Sequence, residues 1–286
     1  MTTPHSRFML VAAISALTLS AALAETQSKV QLSPADLVKT VIYNELHPTS
    51  ATDIHWKYRL EKQMDGKQET REVVETKSGS LDKLLSVSGR PLSEAQQRNE
   101  AERILRFSHN ADEQRKAEQA RRKDAAQCDA FLKMIPDALI FQYDGREKNS
   151  EQGNLVRVSF KPNPQFRAPS REGRVLQQMA GEMWIDADQK RLVSIDGQLT
   201  NEVKFGGGLL GHLEKGGRFS VKRAELAAGD WETTEIDVDM RGKALLFKSI
   251  SVQQKELHTN FERLRSDLTL ADAANLLLKQ ALVALR

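Results

Sequence analysis

From Val193 to Phe205 the odd positions read Val, Ile, Gly, Leu, Asn, Val and Phe, and the even positions Ser, Asp, Gln, Thr, Glu and Lys. A period of two sets successive side chains on opposite faces of a strand, so this stretch has one mostly apolar face and one wholly polar face. The pattern returns at Ile54, Trp56, Tyr58 and Leu60 against His55, Lys57 and Arg59, at Val156, Val158 and Phe160, and at Ile236, Val238 and Met240 against Asp237 and Asp239. Half-wetted strands of this kind belong to an antiparallel sheet with one covered face. Turn signals stand between them at Asp65-Gly66, Asp144-Gly145, Asp186-Ala187-Asp188, Gly229-Asp230 and Arg241-Gly242-Lys243. About ten strands are expected, several longer than the usual five or six residues, and long strands in a large sheet twist and curl. The fold class predicted is mainly β, of α+β type: a strongly curved antiparallel sheet or open half-barrel, with helices on its concave face and a charged helical arm.

The helices announce their starts. Ser33-Pro34-Ala35-Asp36 offers an N-cap, a proline at the first helical position and an acid in the first turn, predicting a helix to about Leu46. Ser93-Glu94-Ala95-Gln96 is a capping box opening a segment in which 15 of the 35 residues from Ser93 to Gln127 are charged. Asn110 is placed to cap a second helix of this arm, ending near Pro136. So charged an arm reads as a solvated insertion, spanning 93–135, that adds little core. From Thr269 to Leu285 a stripe of Leu270, Ala273, Ala274, Leu277, Leu278, Ala281, Leu282 and Leu285 predicts a last helix packed on the concave side of the sheet.

Compartment is read from the first residues. Arg7 precedes an uncharged apolar run from Phe8 to Leu23 ending in Ala22-Leu23-Ala24, the form of a cleaved secretory signal covering 1–24. The run is short for the 20 or so residues of a membrane span, and Glu25 stands where a lipoprotein signal needs cysteine. A periplasmic or secreted chain, 25–286, forming a single β-rich domain is expected. Loss of Arg7 leaves 41 basic against 39 acidic side chains. That balance lacks the clustered basic surface of a nucleic-acid binder. Cys128, the only cysteine, cannot form an intrachain disulfide and reads as a small core residue of its helix.

Phe205 to Phe219, FGGGLLGHLEKGGRF, holds six of the sixteen glycines. Gly206-x-Gly208-x-x-Gly211 matches a dinucleotide fingerprint, but that fingerprint requires a following helix to hold the pyrophosphate. Gly216-Gly217 would end any such helix within a turn, and His212 occupies the position where a phosphate-binding loop of the Walker type needs lysine. The loop therefore reads as a strand connection. His47, His55, His109, His212 and His258 are scattered singly, and no metalloprotease, paired-cysteine, nucleophile-elbow or EF-hand spacing occurs. Asp186 and Asp188 read as turn formers, and Asp237 and Asp239 as wet-face residues with a cross-strand partner such as Lys222. The chain is expected to be no enzyme and to need no cofactor or metal.

The hairpin from Met183-Trp184-Ile185-Asp186 to Lys190-Arg191-Leu192, together with the export signal, the early helix and the long antiparallel strands, resembles the periplasmic lipoprotein localisation factors and their sigma-regulator relatives. The resemblance implies a half-barrel closed by helices around an apolar cavity that shields acyl chains. This chain differs in its charged arm and its long glycine loop. The function expected is an exported carrier or sensor that binds a lipid or lipoprotein acyl chain between sheet and helices. Its lining would be Trp56, Tyr58, Val203, Phe205, Ile236 and Val238, with Leu209 and Leu210 as a mobile lip. Membrane contact would be transient and nucleic acid plays no part. A second reading is an interaction module for an envelope protein, using the charged arm; a secreted hydrolase with no sequence motif ranks third.

Overall fold

The computed structural model describes residues 32–47, 54–64, 66–150, 153–208, 211–244 and 248–283. The expected export signal, 1–24, and the expected lip residues Leu209 and Leu210 lie outside them, as does Leu285. The described chain is mostly β: one antiparallel sheet of thirteen strands, not closed into a barrel, with five α-helices.

In chain order the strands are β1 (His55–Met64), β2 (Lys67–Thr76), β3 (Gly79–Val87), β4 (Arg90–Pro91), β5 (Leu139–Ser150), β6 (Gly153–Pro162), β7 (Met179–Asp186), β8 (Arg191–Leu199), β9 (Val203–Phe205), β10 (Gly211–Leu213), β11 (Arg218–Ala227), β12 (Asp230–Ala244) and β13 (Lys248–Leu264). Across the sheet they run β4-β3-β2-β1-β13-β12-β11-β8-β7-β6-β5, with β10 attached to β12 and β9 to β10. The first long strand thus pairs with the last.

The helices are α1 (Pro34–Leu46), α2 (Glu94–His109), α3 (Ala111–Ala138), α4 (Arg171–Leu176) and α5 (Leu270–Val283). Their caps form as read. The Ser33 hydroxyl accepts from the Asp36 amide at 3.1 Å, and Asn110 Oδ1 accepts from Asp112 and Glu113 at 3.0 and 3.1 Å. At the capping box the Ser93 amide donates to Gln96 at 2.9 Å while the Gln96 amide donates back to Ser93 Oγ at 3.4 Å. Each satisfies amides that the first helical turn leaves without intrahelical partners.

Register assigns the faces, because directly paired residues share one. Val158 lies opposite Met183, Met183 opposite Ile195, Ile195 opposite Val221 and Val221 opposite Ile236. We call theirs the front face. Leu37, Val38, Val41 and Ile42 of α1 and Ile135 of α3 close over its β5–β8 end, burying Val156, Val158 and Ile185. The second core is behind the sheet. Tyr58 pairs with Val73, so the adjacent Val74 points to the back, where it packs with Leu81, with Ile104 of α2 and with Leu270, Ala273 and Leu277 of α5. The helices therefore divide between the two faces, α5 lying opposite the side occupied by α1. Sequence alone cannot settle this, because a one-residue change of register turns a strand over.

Several local readings are corrected. The alternation from Val193 to Phe205 is two strands, broken at Thr200–Glu202, and a bulge opposite Trp184 and Ile185 turns Val193 away from Ile195. Val193 joins Leu155 and Trp231 in a small separate cluster. Asp144-Gly145 is a bulge within β5, not a turn. Gly242 lies inside β12, where an added Cβ would stand 2.1 Å from the His212 carbonyl oxygen, so glycine there permits the close approach of β10. Asp186 does form a turn, its Oδ1 accepting from the Asp188 and Gln189 amides at 2.8 and 2.7 Å. Lys222 pairs with Glu235 at 2.9 Å, whereas Asp237 faces Lys255 at 4.0 Å and Asp239 faces Arg218 at 3.8 Å.

The charged arm is not a detachable insertion. Ile104 is 0 % exposed in the second core, Glu100 accepts the Leu84 amide at 2.7 Å and Arg103 pairs with Asp82 at 3.7 Å. The longest unbroken solvated stretch is the middle of α3, where every residue from Gln119 to Ala130 is exposed. Cys128 lies in that stretch and is exposed, so it is not a core residue. The expected arm is one helix anchored through the buried Ile104 and Ser108, followed by a polar strut, a form helices take when they bridge through solvent.

Candidate ligand-binding face

The front face continues past the helical cover. Helices α1, α3 and α4 are concentrated on β5, β8 and β9. Beyond them β11, β12 and β1 carry Phe219, Ile236, Val238, Met240, Tyr58 and Leu60, all half-buried. Register places these together: Phe219 faces Val238, Ile236 faces Glu256, and Glu256 faces Lys62, two residues beyond Leu60 on the same side of β1. Four expected lining residues, Trp56, Tyr58, Ile236 and Val238, thus share one face. Val203 and Phe205 stand elsewhere on β9, Val203 being 2 % exposed within the first core and Phe205 packed against it. Gly181 and Gly197 face each other; the rings of Phe219 and Phe160 fill the place of the side chain missing at Gly197, whereas at Gly181 the backbone of Asp196 and Gly197 does so.

The two tryptophan and tyrosine candidates are tightly engaged. Trp56 is 5 % exposed; its indole N–H donates to Asp230 at 2.8 Å and its amide to Glu75 at 3.1 Å. The Tyr58 ring stacks on His258 at 5.1 Å and on Phe261 at 5.2 Å, and Trp56 meets Phe261 edge-on at 6.0 Å. Burial pushes the Tyr58 phenol above its ordinary pKa, and the negative charges of Glu75, Glu232 and Glu256 reinforce the effect. Tyr58 consequently stays protonated and can serve as a hydrogen-bond donor.

Charge occupies the rest of this face, which the sequence reading does not anticipate. Lys62 pairs with Glu256 at 2.8 Å, and Arg71 pairs with Glu69 at 2.7 Å and also with Asp82. Contact with His258, and then with Lys62 and Gln254, holds the Glu256 carboxyl at about 2 despite burial. At the Trp56 end burial, then Glu75 and Asp230, push Glu232 up to about 7. Burial also raises Glu75. The warning is present in β13, where Gln254, Glu256 and His258 alternate with Gln253, Lys255 and Leu257, so that polar residues fall on both sides. The candidate face is amphipathic, apolar along β11 and β12 and charged along β13, β1 and β2.

On the back of the sheet an open groove of about 680 Å³ crosses β7, β8, β11 and β12, lined by Glu182, Asp196, Gln198, Arg218 and Asp237. Its polarity suits water better than hydrocarbon. Among the described residues, no group of three or more His, Cys, Asp and Glu is arranged to hold a metal ion, and no helix is long and apolar enough to cross a membrane.

No protein-family model matches the chain, and no curated protein matches it. Two solved structures are similar at 11 % identity. A DUF1329 family protein from Desulfovibrio piger aligns over 81 % of this chain and 93 % of its own, with a TM-score of 0.27. MucB, in a complex with MucA(peri), aligns over 85 % and 97 %, with a TM-score of 0.23. Superpositions this loose carry no functional argument.

Proposed function

We propose that the chain is an exported binding module, a carrier or sensor of the cell envelope, that receives the acyl part of a lipid or lipoprotein on the front face of β11, β12 and β1. What supports this reading is one observation: the face buried beneath α1 and α3 runs on beyond them as half-buried Phe219, Ile236, Val238 and Met240. The Met183–Leu192 hairpin and the apolar leader ending at Ala24 point the same way. No covalent step is required. Each methylene removed from water contributes about 0.8 kcal/mol, so eight of them supply roughly 6 kcal/mol before the entropy cost of association.

The test is titration of the mature chain with dansyl undecanoic acid, followed by fluorescence. Saturable enhancement is expected, weakened about tenfold by Val238→Asp, since a carboxylate in the apolar strip must be desolvated. Asp237→Ala, on the back face, should leave binding unchanged. Absence of saturable binding to the wild-type chain would remove the acyl reading. A second reading, a docking module for an envelope protein, draws on the exposed stretch of α3 from Gln119 to Ala130; capture of a specific protein partner, abolished by surface changes in that stretch, would favour it.

A further inference from the structure

The two ends of this sheet are treated differently. At the β3 end the backbone is guarded by side chains of α2: Glu100 accepts the Leu84 amide at 2.7 Å, and Arg103 donates to the Asp82 carbonyl at 2.5 Å. The short strand β4 covers two more residues. Guards of this kind are the usual protection against edge-to-edge pairing. At the other end β5 pairs with β6 alone; the Leu139 amide donates to the Ile135 carbonyl at the end of α3, and among the described residues no further strand lies along Ile140–Tyr143.

We infer that the outer edge of β5 is an interface, and that its occupant is a second copy of this chain, joined antiparallel about a twofold axis through Phe141. The segment is suited to meet itself. Leu139-Ile140-Phe141-Gln142-Tyr143 carries no charge, so self-pairing opposes no like charges. On the front, Leu139, Phe141 and Tyr143 belong to the end of the first core; Leu139 is buried, while Phe141 and Tyr143 pack against that core half-exposed. A second Phe141 across the axis continues that apolar row. On the back, Ile140 is 42 % exposed, an unusual place for a large aliphatic side chain on an unguarded edge. The axis sets Ile140 opposite Gln142 of the partner subunit, covering it. An isologous contact of this kind closes on itself as a dimer and leaves the guarded β3 ends outermost.

Sedimentation equilibrium of the wild-type chain should give a dimer. Ile140→Lys, which adds the edge charge that natural sheets use to prevent pairing, should weaken association by about tenfold or more. Its far-ultraviolet dichroism should be unchanged. Register is read separately on a Cys128→Ser background: Ile140→Cys combined with Gln142→Cys should oxidise to a covalent dimer, whereas either change alone should not. A wild-type chain that stays monomeric at every concentration overturns the inference. So does a dimer indifferent to Ile140→Lys that forms no cross-link, since its interface must then lie elsewhere.

Discussion

Changing Glu232 to Gln should alter how stability depends on pH, in a direction and size that follow from the environment of one carboxyl. Burial, then Glu75 and Asp230, raise its pKa to about 7 from an ordinary 4.5, while Arg223 and Arg191 pull the other way. Between these values the folded chain holds a proton that the unfolded chain has released. The resulting stability is present in full below about pH 4.5 and is lost as pH rises through about 7. At 1.36 kcal/mol per pKa unit the gap, 7 less 4.5, corresponds to roughly 3.4 kcal/mol. Glu232 still touches water, and screening reduces this to about 2 kcal/mol. Glu75 adds in the same direction, and Glu256, held at about 2, acts only below 4.5. Urea unfolding from about pH 5 to pH 8 is the assay. Wild type and Glu232→Gln should nearly coincide at the acid end, with the variant more stable by about 2 kcal/mol at the alkaline end. Parallel curves would refute the account, showing that Glu232 is hydrated or already paired in solution.

Ile104→Ala should cost about 3 kcal/mol in a denaturant titration, because it empties a fully buried site where α2 meets β3 and α5. Arg122→Ala with Lys123→Ala, in the exposed stretch of α3, should stay within about 0.5 kcal/mol of wild type in the same titration. Gly181→Ala should lower the melting temperature markedly: its Cβ would stand 2.0 Å from the Asp196 carbonyl oxygen, and backbone cannot yield as a side chain can.

What the sequence discloses here is what acts over short distances. The caps at Ser33, Ser93 and Asn110 are local hydrogen-bond patterns, and the helices they begin form where expected. The strand alternations identify sheet and its antiparallel type for a similar reason. The readings that differ depend on long-range geometry. Cys128 sits in an apolar-looking stripe, but that part of α3 is exposed, so among the described residues the stripe meets no core. Gly242 resembles a turn glycine until β10 is brought against it. Trp56, Tyr58, Ile236 and Val238 are legible as residues of one face, yet Lys62 and Glu256 among them become neighbours only through the pairing of β1 with β13. Ile104 is hidden within a run of charges, and only the docking of α5 explains why an isoleucine stands there.

That pairing of β1 with β13 also sets a timetable. During synthesis the hairpins β1–β2–β3 are complete early, and the succession from β5 to β12 follows, but the strand that sutures them emerges almost last. Until residues 248–264 appear, the nascent chain holds two partial sheets with raw margins at β1 and β12. Pairing across some two hundred residues of chain is slow, because the closure entropy must be met before any contact rewards it. A C-terminal truncation before Lys248 should therefore yield two sticky halves that aggregate, rather than a smaller folded protein.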